Sequence, residues 1–157
     1  MRILRSLLVL ALGAWGGMMA AAAFVKRAVP SHGGEESDEL SLVAVFDGIE
    51  LKNRSKSFAG GSMLAWFGGI VVDLRDAELA PGARLKVHAL FGGIVLRTPP
   101  NWRIESNAKS LAGGIDVRAA AGDDPDAPVL ALDGLAVFGG VTATAAPEHE
   151  AESAQNL

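Results

Sequence analysis

The chain has 157 residues and a net charge of −4, with half its residues hydrophobic and a fifth charged. That composition suits one folded domain with some chain to spare and excludes a disordered polymer. Cysteine is absent, which excludes a disulfide framework, a cysteine-type zinc site and a cysteine nucleophile.

Residues 1–27 read as a transmembrane anchor. Leu7 to Val25 is uninterrupted by charge, and at about 1.5 Å per residue it reaches across most of a bilayer core of about 30 Å. Arg2 and Arg5 precede it and Lys26–Arg27 follow, a stop-like flank, so membrane lipid is the partner of residues 7–25. The competing reading is a cleaved signal peptide, with Leu7–Leu12 as its apolar region and Ala20–Ala23 as the cleavage site. The basic residues tie across the span, and the N-terminal amine tips the expectation toward a cytoplasmic N-terminus and an exported domain.

Beyond residue 27 the chain holds 10 basic against 18 acidic residues. A nucleic-acid partner needs a basic face to displace counterions, so that class is set aside. Residues 28–40, with Pro30, Gly33–Gly34 and an acidic cluster, read as a flexible linker, and residues 145–157 as a disordered tail.

Residues 41–144 contain a repeat. Fourteen of the 19 glycines fall in Gly–Gly pairs, and a common frame recurs five times as VAVFDGI, LAWFGGI, HALFGGI, KSLAGGI and LAVFGGV. The frame places Phe46, Phe67, Phe91, Ala112 and Phe138 at successive steps of 21, 24, 21 and 26 residues. The glycines are Gly48, then Gly68–Gly69, Gly92–Gly93, Gly113–Gly114 and Gly139–Gly140.

Period-two alternation sets the faces. Leu85, Val87 and Ala89 lead in register to Phe91, so the phenylalanine column is expected to point inward. Ile104, Ser106, Ala108, Ser110 and Ala112 share a face in the next copy. Past the glycines, Ile49/Leu51, Ile70/Val72, Ile94/Leu96, Ile115/Val117 and Val141/Ala143 face in. The expected fold is all-β: a solenoid of about five Phe-Gly-Gly-Ile rungs, with one membrane helix before it. Glycines are expected to turn the corner with φ > 0, and Pro81, Pro99–Pro100, Pro125 and Pro128 to punctuate the connections. The alternative is that each glycine pair is a hairpin turn in an antiparallel meander or barrel.

If the phenylalanines face in, then Val45, Trp66, Leu90, Leu111 and Val137 face out. With Val43, Leu64 and Leu135 they form an apolar stripe, the mark of a partner-docking or self-association wall. A corner that breaks the alternation would bury both columns instead, or the tail would cover the wall. Lys52, Arg54 and Lys56 share a strand face and suit an acidic partner or lipid headgroups, a solvated surface, or carboxylates such as Asp73 and Asp76 on the next rung. Asp123, Asp124 and Asp126 have the oxygens of a calcium site but not the spacing, and read as a turn. His32, His88 and His149 are scattered and supply no general base. No catalytic residue, metal site or cofactor is expected, and the chain does not read as an enzyme.

The segments FDGIELKNRSKSFAGG, WFGGIVVDLRDAEL, LFGGIVLRTPPNWRIE, LAGGIDV and VFGGV, taken in succession from Leu42 to Thr144, resemble the C-terminal domain of the LiaF family of cell-envelope stress proteins. The resemblance implies a right-handed β-helix-like domain tethered to the membrane, regulating a sensor histidine kinase without any catalytic residue. The chain departs from that family in having one apparent membrane segment, and in Ala112 where a phenylalanine is usual. The partners implied are therefore a membrane histidine kinase or, as the alternative function, further copies of the chain in a membrane-tethered scaffold.

Overall fold

The computed structural model describes residues 2–28, 31–119, 121 and 124–145. The tail from residue 146, with His149, and Asp123 lie outside them. Helix α1 (Arg2–Ala28) has 27 residues and leaves Leu7, Val9, Leu10, Leu12, Trp15 and Phe24 exposed. Among the described residues no helix is long and apolar enough to cross a membrane. Several α1 side chains, Leu8 and Val25 among them, fall outside that set, so the 7–25 span remains a reading of the sequence.

The remaining elements are strands, and every ladder between them is parallel. This excludes the meander, whose hairpins would pair antiparallel. One sheet runs β1 (Glu39–Val45), β3 (Phe58–Trp66), β5 (Leu79–Leu90), β10 (Val129–Val137) and then the split pair β7 (Arg103–Ser106) and β8 (Lys109–Leu111). The other runs β2 (Gly48–Lys52), β4 (Gly69–Asp73), β6 (Gly93–Thr98), β11 (Gly140–Ala145) and β9 (Gly114–Arg118). Each copy of the repeat contributes to both sheets, the fourth through the split pair β7 and β8 on one side, and bends at the repeated corner, which makes a β-solenoid.

Sequence order and spatial order differ. The fifth copy lies between the third and the fourth, so β10 pairs with β5 on one side and with β7 and β8 on the other. The fourth copy is the terminal level, with Ser106 and Ser110 in the columns where Leu132 and Ala136 stand one level below. Its polar character fits the end of a stack, where only one side is covered.

The core follows the expected alternation past the corner. Ile70, Val72, Ile94, Leu96, Val141 and Ala143 are buried, as are Leu85, Val87 and Ala89; Ile49, Leu51, Ile115 and Val117 pack against them. Full burial of a Leu or Ile side chain stabilises by about 1.5–3 kcal/mol, so the narrow columns suffice despite the alanine content. The largest core residues lie outside the repeat frame: Phe58, at the start of β3, and Trp102, just before β7, are buried with ring centroids 6.5 Å apart. Pro81 does not separate two strands as expected. It sits within β5, where Phe58 pairs with Leu79 but Gly60 with Arg84, so Pro81 and Gly82 occupy a bulge that needs no ladder bond from proline.

Residues 31–38, expected to hang as a spacer, are hydrogen-bonded to the first level. His32 and Ser41 exchange backbone bonds of 2.6 and 2.8 Å, and the Ser31 hydroxyl accepts from the Val43 amide at 2.9 Å. Buried Asn53 donates its amide to the Gly34 and Ser37 carbonyls at 3.1 and 2.8 Å, while its oxygen accepts from the Ser55 amide at 3.0 Å. The segment caps the outer edge of β1, and Leu40, Leu42 and Ala44 are buried although they belong to an end level.

Candidate interaction surface

The expected inward phenylalanine column is corrected by the backbone. Phe46, Phe67, Phe91, Ala112 and Phe138 all have φ between 50 and 54°, in the left-handed region. A residue in that conformation leaves the strand alternation, so the buried position passes to the alanines two residues earlier: Ala44, Ala65, Ala89 and Ala136. The rings project outward, with Phe46, Phe91 and Phe138 at 44, 50 and 59% exposure. Parallel strands stand about 4.8 Å apart, and identical corners stack their rings at that interval. Centroids of Phe46–Phe67, Phe67–Phe91 and Phe91–Phe138 are 5.1, 4.8 and 5.2 Å apart, with planes within 12° of parallel.

The glycine pairs therefore do a different job from the one expected. None of the framed pairs has positive φ. A Cβ on Gly92 would stand 2.2 Å from the Gly68 carbonyl oxygen, and the first glycine of each other pair meets the adjoining level in the same way. In the first copy this position is Asp47. It is the end level, and the Cβ direction that is blocked elsewhere by the preceding corner finds no further corner there. Close approach lets the ladder run through the bend, with Gly93 donating to Gly68 at 3.1 Å and Gly140 to Gly92 at 3.0 Å.

Beside the ring ladder runs the outward wall. Register places Val45, Trp66, Leu90, Val137 and Leu111 in one column, in spatial order, and Val43, Leu64, His88, Leu135 and Lys109 in the next. Exposure rises along it. Val43 and Val45 are buried in a small cluster with Leu64 and Trp66. Trp66, Leu90 and Val137 are half-buried, and Leu111 is 64% exposed. Val45 therefore offers no free surface, and the wall available to a partner starts at Trp66.

The other candidates resolve locally. Lys52 pairs with Asp76 at 2.7 Å, Lys56 with Glu78 at 2.8 Å, and Arg54 with Glu35, so the three cations are neutralised by the next level and the cap. The Glu78 hydrogen bond holds the Lys56 ammonium above its ordinary pKa. Burial alone would raise the pKa of Asp73, but a forked hydrogen bond from the Arg75 guanidinium, the Arg75 amide and nearby Lys52 together bring it below the ordinary carboxylate value. Asp124 accepts from the Asp126 amide at 3.0 Å, an Asx turn. Among the described residues no group of histidines and carboxylates could hold a metal. His88 stands in the wall between Leu64 and Leu135. An open depression of about 600 Å³ is lined by His32, Ser41, Ser62, Arg84 and Lys86.

No protein-family model, curated protein or solved structure matches the chain.

Proposed function

We propose that this chain is a non-enzymatic docking platform of the bacterial cell envelope, held to the membrane by residues 7–25, whose ring ladder and wall bind a protein partner. The observation that carries the reading is the apolar ridge. Four stacked phenylalanines, three of them exposed, lie beside half-buried Trp66, Leu90 and Val137. Energetics point the same way. A left-handed non-glycine residue costs about 1–2 kcal/mol, and an aromatic stack returns about 0.5–1.5 kcal/mol. Five such corners with three stacks gain nothing for the fold, so the rings are better accounted for by what they present outward.

The anchor is supported by α1, on which Leu7, Val9, Leu10, Leu12, Trp15 and Phe24 are exposed. A sensor histidine kinase is the partner implied by the LiaF resemblance. Its test is a photo-crosslinking residue at Phe91 in the full chain within bacterial membranes. The expected adduct is a membrane histidine kinase, lost when Trp66→Asp is added while circular dichroism stays native. An adduct unchanged by Trp66→Asp, or none, overturns the reading. The second reading, a scaffold of chains stacked head to tail, has an open edge at the fourth copy in its favour and the capped edge of β1 against it.

A further inference from the structure

The two ends of the solenoid are unlike. At the first level β1 is paired on its outer side by residues 31–38, leaving only β2 open. At the fourth level β7, β8 and β9 pair on one side only, and among the described residues nothing lies across their outer edges. The core is open there as well, since Ile104, Ile115 and Val117 are only partly buried. Leu111 and Phe138 add exposed apolar surface at the same corner. An edge of this kind is a template for another strand.

We infer that this end joins a second copy of the chain in a closed two-fold pair, with the Ala112–Gly113 corner on the axis. Such an axis lays β8 of one copy antiparallel to β9 of the other. Matching inward to inward residues then sets Ser110 opposite Ile115, and outward to outward sets Leu111 opposite Gly114 and Lys109 opposite Asp116. The charges agree with this register. Lys109 is exposed and makes no ion pair among the described residues, while Asp116 is half-exposed and meets only Arg118 of its own strand, at 2.8 Å. Two-fold symmetry makes each Lys109–Asp116 pair twice. The pairing also covers the open end of the core, and it leaves each capped first level pointing away, so the assembly stops at two.

The test uses the full chain in detergent micelles, followed by analytical ultracentrifugation. A dimer is expected, with Lys109→Glu weakening it about tenfold or more and the exchanged pair Lys109→Glu with Asp116→Lys restoring it. The chain has no cysteine, so Lys109→Cys protein mixed with Asp116→Cys protein should form a disulfide between copies on mild oxidation. Monomer at every concentration, oligomers that keep growing, or a dimer indifferent to Lys109→Glu and without the 109–116 crosslink would each overturn the inference; the last would place the contact on α1 or the ring ladder.

Discussion

Phe91 and Gly92 sit side by side at one corner, yet they answer to opposite constraints. Phe91 holds φ 54° with its ring half in solvent, whereas Gly92 has ordinary φ but no room for a methyl group. Asparagine tolerates the left-handed region, so Phe91→Asn should relieve about as much strain as it loses in stacking and change stability by less than about 1 kcal/mol. Gly92→Ala forces the backbone of two levels apart and should cost about 3 kcal/mol. Urea titration of both variants checks the contrast. Asp73 adds a pH dependence: its folded pKa lies below its unfolded value, so its contribution is complete above the ordinary carboxylate pKa and is lost as pH falls through the folded one. Asp73→Asn should flatten the acid limb of the stability profile below about pH 4, read by thermal melts across pH.

The cap is held to the solenoid by one buried side chain more than by any other. Asn53 satisfies two carbonyls of residues 34–37 and one amide of its own loop, none of which water replaces once the residue is buried. Asn53→Ala should cost about 2–3 kcal/mol, because truncation strands those partners. Hydrogen exchange should show the loss first at the Ser41 and Val43 amides, which the cap bonds directly. Edge strands behave differently at the far end. β9 alternates Asp116 and Arg118 on its outward face, and charges of this kind deter indiscriminate pairing while permitting a complementary partner.

Because the fifth copy is inserted between the third and the fourth, the molecule does not shed repeats from its C-terminus one at a time. A chain ending at Arg118 lacks β10 and β11, the strands to which β7, β8 and β9 are paired among the described residues. It should lose amide protection across residues 103–118 as well, while β1 to β4 keep theirs, by hydrogen exchange and mass spectrometry. In a solenoid built in sequence order, β7 to β9 would rest on β5 and β6 and remain protected. Insertion also requires the last two strands to enter a gap left by earlier ones, a long-range closure that slows folding.

The chain's own residues determine the repeat and the columns after each glycine pair, because period-two alternation and recurring corners are local properties. The wall was legible too: Trp66, Leu90 and Val137 fall in one column because equal frames align. Three matters lay beyond local reasoning. The left-handed phenylalanine breaks the alternation that placed it inside, and only the backbone torsion reveals the break. Phe58 and Trp102 become core partners across 44 residues. The order of levels depends on which strand finds the better-covered place, and the apolar fifth copy takes the interior from the polar fourth because a central level buries its side chains between neighbours on two sides, an end level on one.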